Sequence, residues 1–350
     1  MMQTTRVRWA GGLLAVALAA PVGAQESYRL GGNDVAVYNL AGEVEVVAGS
    51  GSEVVVTVSP GGNDAGRLSV EVGQIRGRMA LRVLYPSDEI VYAMDGRGRY
   101  NTQTRVRSDG TFGNGDGGDR VRIRSSGSGL EAHADLRIEV PAGVDIQVYN
   151  AVGRASSRNV RGDLLLDLAS GGVEVAGHTG RLEVDTGSGS VRVEDVEGDV
   201  EIDTGSGSVR LNRIAGDRVY VDTGSGSVEG GSIESRSLEV DTGSGRVELT
   251  GVRAPDVTVD TGSGGVELEI LSTVESLEVD TGSGGVTLAL PSGLDADIEV
   301  DTGSGGIDVD FPVEVRSMRR NYFRGRVGEG RGRIMVDTGS GGVRLRTSGG

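Results

Sequence analysis

The sequence predicts an all-β solenoid, and two observations carry that prediction. First, Asp-Thr-Gly-Ser occurs eight times, beginning at Asp185, Asp203, Asp222, Asp241, Asp260, Asp280, Asp301 and Asp337. The copies recur at intervals of roughly 18–21 residues, except for a last interval close to twice as long. Second, apolar and polar residues alternate between the copies. In Ser190–Asp203, Val191, Val193, Val200 and Ile202 fall on one face of their strands, and Arg192, Glu194, Glu201 and Asp203 on the other. A period of two marks half-buried strands, and the repeat carries no helical spacing. Each unit reads as two short strands and two turns, a coil of about 18–21 residues stacked in parallel register about 4.8 Å from the next.

The elements follow in chain order. Arg6 and Arg8, the uncharged run Ala10–Ala20 and the small residues Val22–Ala24 have the form of a secretory signal over 1–24. That run is too short for a membrane span, and no later stretch approaches the roughly 20 apolar residues one needs. An exported protein of the periplasm, cell surface or medium is expected. Residues 25–150 alternate strands and turns less regularly and read as opening coils and cap, with the polar, Gly-rich stretch 95–129 as a long mobile loop. Residues 151–350 are the regular solenoid. A degenerate copy, LDLASGGVEV, sets Asp167 one period before Asp185, and the long interval from Asp301 to Asp337 reads as two periods with one coil lacking the motif.

Composition narrows the chemistry. With 61 glycines and 3% aromatic residues, the chain suits many thin layers better than one thick core. Cysteine is absent, so disulfides and thiol catalysis are excluded. All 35 basic residues are arginine, and the net charge of −16 argues against nucleic acid or an anionic membrane as partner.

Asp-Thr-Gly-Ser is also the sequence in which aspartic proteases carry a catalytic carboxylate. Such a dyad needs two carboxylates converging from two sizeable lobes, which copies separated by a single short coil cannot supply. Strand parity adds that Val184 points inward and Asp185 outward. The motif reads instead as a turn recipe, in which Asp and Thr cap the turn, Gly opens φ > 0 and Ser hydroxyls bond up the stack. No catalytic residue and no cofactor are expected, and the chain is read as a non-enzyme.

Stacked aspartates repel by about 1 kcal/mol per neighbouring pair in water. Backbone N–H groups, outward arginines such as Arg192 and Arg210, or a divalent cation could compensate. The cation reading would place calcium on Asp185, Asp203, Asp222, Asp241, Asp260, Asp280 and Asp301, but one carboxylate per coil is thin for an ion that takes six to eight oxygens. A separate binding patch is formed by Arg316, Arg319, Arg320, Tyr322, Phe323, Arg324 and Arg326, the one strongly basic and aromatic cluster in an acidic chain. It suits an anion, a glycan, or the acidic face of a second copy. His133 and His178 are too few and too scattered for a zinc site, and both are expected at the surface.

The stretches VYNLAGEVEVVAGSGSEVVVTVSPGGNDAGRL, DLRIEVPAGVDIQVYNAVG, DTGSGSVRV, DTGSGGVEL and the closing GRVGEGRGRIMVDTGSGGVRL resemble the bacterial putative-adhesin β-strand-repeat family over nearly all of the mature chain. The resemblance implies a right-handed parallel β-helix at the cell envelope, with no catalytic residues. The functional expectation is an adhesin or envelope scaffold whose partner is a surface glycan or protein, with end-to-end or lateral self-association. Alternatives are a periplasmic accessory of envelope stress, a calcium-stabilised β-roll, and a carbohydrate-active β-helix enzyme.

Overall fold

The structure, a computed structural model, describes residues 20–21, 25–94, 99–113 and 117–348. The proposed signal segment lies outside the described residues apart from Ala20–Pro21. Among the described residues the chain is all-β: one 28-stranded sheet, a separate three-stranded sheet, and a single short 3-10 turn at Ala65–Arg67. The large sheet folds back on itself as two facing ladders. Their inward residues, among them Val184 and Val200 from one ladder and Val191 and Val209 from the other, merge in one apolar core. The architecture is solenoid-like.

Parity builds the first ladder. Leu182–Thr186, Val200–Thr204 and the strands that follow send Leu or Val inward, Asp outward and Thr inward again. In-register parallel pairing then aligns Asp167, Asp185, Asp203, Asp222, Asp241, Asp260 and Asp280 as direct neighbours. The opposite ladder starts after the Gly-rich turn and pairs in parallel likewise, as in Val173–Thr179 on Val191–Glu197. A left-handed residue then bends each strand: Asn159, Gly177, Asp195, Arg213, Ser232 and Gly251, all with φ between 55° and 69°. Beyond this bend Val160, His178, Val196, Ile214, Ile233 and Val252 turn inward along a short third side. His178 is therefore buried, contrary to the surface position expected; its offset places it in a column otherwise made of Val and Ile.

The N-terminal end departs from the repeat. Asp34–Ala41 lies in parallel beside Asp145–Val152, yet the outer strands Glu26–Leu30, Val54–Gly61 and His133–Pro141 pair antiparallel and close the end of the opposite ladder. The polar stretch expected as a loop is not one throughout. Asn101–Val106 and Asp119–Arg124 pair antiparallel, and with Glu89–Val91 they form the three-stranded sheet. Ile90, Tyr92, Phe112, Val121 and Ile123 pack this small sheet onto Ala36, Tyr38, Tyr149 and Ala151 of the aspartate ladder. Alternating Thr, Val and Ile among the arginines give these strands one apolar face, which the glycine content conceals.

The C-terminal end departs from the expected order of coils. The long interval before Asp337 is not a motif-less coil. After Asp301 the chain makes a hairpin, Glu314–Met318 with Tyr322–Val327, whose second strand pairs antiparallel with Ala296–Thr302. It then returns, and Gly332–Thr338 inserts between Ser276–Thr281 and Ala296–Thr302, pairing in parallel with both. Val343–Thr347 inserts likewise between Val286–Leu290 and Ile307–Asp310. Every repeat carries the same inward and outward pattern, so the last copy fits this slot as well as it would fit the end of the stack.

Candidate functional site

The outward face of the aspartate ladder is the most ordered chemical feature of the molecule. Reading across the strands, one column runs Asp167, Asp185, Asp203, Asp222, Asp241, Asp260, Asp280, Asp337, Asp301, with Asp337 reached through the inserted strand. Tyrosines bracket it: Tyr38 and Tyr149 precede Asp167, and Tyr322 follows Asp301. Two residues earlier a second column holds Glu183, Glu201, Tyr220, Glu239, Thr258, Glu278, Met335 and Glu299, and ends on Arg324.

The threonines position this face from beneath. Thr186, Thr204, Thr223, Thr242, Thr261, Thr281, Thr302 and Thr338 are all fully buried. Thr186 Oγ1 donates to the Gly171 carbonyl oxygen at 3.1 Å, Thr242 to Gly226 at 3.1 Å, Thr281 to Gly264 at 3.0 Å and Thr338 to Gly284 at 3.1 Å, in each case a glycine of the neighbouring rung. The same hydroxyl accepts the N–H three residues ahead, as Gly264 to Thr261 at 3.0 Å. Thr302, against the hairpin, instead bonds the carbonyl of Gly305 at 2.8 Å. Of the expected serine ladder, Ser170 and Ser188 make a contact, at 3.2 Å.

The two arginines expected to compensate the carboxylates do not reach them. Arg192 and Arg210 lie on the opposite ladder and pair there with Glu194 at 3.5 Å and Glu229 at 2.9 Å. Among the described residues no group of three or more His, Asp or Glu has a geometry that could hold a metal ion. What changes is proton affinity. Burial under the turn at Gly113, followed by the charges of Asp185 and Glu183, pushes Asp167 up to about 7. Burial and neighbouring column aspartates also raise Asp185, Asp222, Asp241 and Asp280. The column lies along an open outward face and supplies no pair of carboxylates meeting in a cleft.

The two ends of the face differ. At the first, Tyr38 and Tyr149 stack with ring centroids 4.7 Å apart, and Phe112 of the small-sheet connection meets Tyr38 edge-on at 5.8 Å. At the second stands the arginine hairpin. Arg326 forks onto Asp297 at 2.6 and 2.7 Å, holding its carboxyl below the usual aspartate range, while Arg316 lies 3.7 Å from the same residue. Tyr322 donates its hydroxyl to Glu299 at 3.1 Å. Phe323, expected in the binding patch, is buried in the core instead, because it has the opposite parity to Tyr322 and Arg324. Arg316, Arg319, Tyr322 and Arg324, with Ser317, line one open concavity of about 550 Å³; Arg320 is exposed at the hairpin tip beside it.

Among the described residues, two of the larger grooves flank the solenoid. One of about 870 Å³ follows the third side past Gly177, Asp195, Arg213 and Arg253. The other, of about 820 Å³, crosses the opposite ladder among Arg137, Arg158, Glu174, Arg192 and Arg210. Sequence reading missed both, since each is a property of several rungs together.

A family model, Toastrack DUF4097, matches residues 163–346. The chain belongs to the Toastrack DUF4097 family. The match covers the aspartate column, the hairpin and the inserted strands, and stops short of the small sheet. A crystal structure of a putative cell adhesion protein from Clostridium sporogenes is similar over 93% of this chain and 99% of that one, at 9% identity and a TM-score of 0.20, a likeness too slight to carry an argument. No curated protein matches the chain. Among the described residues no helix is long and apolar enough to cross a membrane.

Proposed function

We propose that this Toastrack chain is a non-enzymatic, exported binding scaffold, an adhesin or envelope element, built as a right-handed parallel β-solenoid with coils of about 18–21 residues. The observation that carries the reading is the register of the outward face, in which aspartates recur at every rung from Asp167 to Asp301. A face that repeats at one strand spacing, about 4.8 Å, presents the same group to every unit of a repeating partner. It gathers binding energy over length and needs no deep pocket. The partner class is a surface glycan or an envelope protein.

A second reading, a periplasmic accessory acting in envelope stress, draws on the column's proton affinity, since Asp167 changes charge near neutrality. External protease added to intact cells separates the two. Cleavage of the chain supports the surface scaffold; full protection in intact cells, with cleavage after the envelope is opened, supports the periplasmic one. Turnover of a polysaccharide by the purified chain would overturn both.

A further inference from the structure

We infer that the C-terminal hairpin is a binding site for the anionic group, carboxylate or sulfate ester, of an acidic polysaccharide. Hairpin parity assembles it. The N–H of Arg319 donates to the Tyr322 carbonyl at 2.7 Å and closes the turn, so Arg319 and Tyr322 stand side by side. Ser317 is opposite Arg324 in the ladder, and a register shift between Val315 and Ser317 brings Arg316 to the same rim. Bulges of this kind re-aim side chains next to binding sites.

Charge within the cluster is unequally used. Arg326 and Arg316 are engaged by Asp297. Arg319, Arg320 and Arg324 form no ion pair among the described residues and are exposed. Tyr322 donates its hydroxyl to Glu299 and lines the concavity together with Arg319 and Arg324. Two guanidiniums with free forks beside an aromatic ring match an anionic sugar, since the forks take a planar or tetrahedral oxyanion and the ring takes an apolar sugar face. The concavity is open, which suits one unit of a passing polymer better than an enclosed small molecule.

The net charge of −16 does not prevent this. At physiological salt, charges more than about 8 Å apart are largely screened, so the nearest arginines set the local field. On the adjoining strand Asp297 is already engaged by Arg326 and Arg316, and Glu299 by the Tyr322 hydroxyl.

The inference rests on the scaffold reading only in treating the chain as a binder, and its test does not depend on where the protein resides. Binding of the full chain to polygalacturonate, dextran sulfate and neutral dextran is measured by biolayer interferometry. Binding to one or both acidic polymers, absent for neutral dextran, is expected; which polymer binds distinguishes carboxylate from sulfate. R319S/R324S should weaken binding at least about tenfold, the loss expected from a charge-assisted hydrogen bond, while R192S on the opposite ladder leaves it unchanged. Should the double variant misfold, phenylglyoxal modification of the wild-type chain decides the matter, with Arg319 and Arg324 protected by the bound polymer. Failure to bind either acidic polymer, equal binding of neutral dextran, unchanged binding by a folded double variant, or unprotected Arg319 and Arg324 overturns the inference.

Discussion

Thr261 Oγ1 lies 3.2 Å from the carbonyl oxygen of Gly245, its donor reaching from one rung to the next across the interior of the turn. This bond gives the recurring tetrapeptide its physical meaning. Asp points outward, Thr is buried, and the glycines let successive backbones approach closely. Replacing Thr261 with Val keeps the shape but strands the Gly245 carbonyl and the Gly264 N–H. We expect T261V to lose about 1–3 kcal/mol of stability, the usual penalty for buried groups left unpaired, and T261S to lose much less. Urea denaturation followed by circular dichroism measures both.

The two glycines after that motif's serine are unequal. A Cβ on Gly264 would lie 1.6 Å from the Gly245 carbonyl oxygen, whereas on Gly265 the nearest atom is 3.5 Å away. G264A should therefore open the stack or abolish soluble expression, and G265A should fold with a melting temperature close to wild type. Similar behaviour of the two variants would contradict the stacking geometry.

Acid should stabilise the aspartate face. Asp167 holds its proton up to about 7 when folded and only to 3.8 when unfolded, so between those values the native state binds the extra proton. Stability then falls as pH rises through that window. Asp185, Asp222, Asp241 and Asp280 shift in the same direction. Below about 4 the trend reverses, as Asp295 and Asp297, whose affinity is lowered by bonds to Arg331 and Arg326, are forced to take up protons. Melting temperatures should rise from pH 8 toward pH 5 and drop below pH 4. D167N should flatten the upper part of that curve.

His178 is a polar residue in an apolar column. Its Nδ1 is buried without a partner, and burial lowers its affinity for a proton below the ordinary value of 6.5. Its neutral form contributes fully above pH 6.5 and is increasingly penalised as pH falls from there toward its folded value. H178V, matching Val160 and Val196, should leave the protein as stable or more so at pH 7. Its advantage should grow at pH 6, and thermal melts at the two pH values read this out.

Much of this was legible in the chain. Alternation in Val191–Glu197 and Val200–Thr204 gave the strands, and the one-period offset between Asp167 and Asp185 gave the register. That same offset also sets His178 opposite Val196, a signal for its burial that composition obscured. Parity likewise separates Phe323 from Tyr322 and Arg324. The final strand order was not legible, because Ile334 and Val336 present to a neighbour the same inward pattern as Ile298 and Val300. Nor was the small sheet, whose strands lie in a stretch dominated by Gly, Asp and Arg.

Cysteine cross-linking tests most directly whether the aspartates form one in-register column whose order differs from the chain order. The chain has no native cysteine, and neighbouring column positions about 4.8 Å apart are within disulfide reach. Asp337 lies beside both Asp280 and Asp301, which are not beside each other. D280C/D337C and D301C/D337C should oxidise to intramolecular disulfides in the native protein, and D280C/D301C should not. A disulfide in D280C/D301C, with none to position 337, would contradict that order.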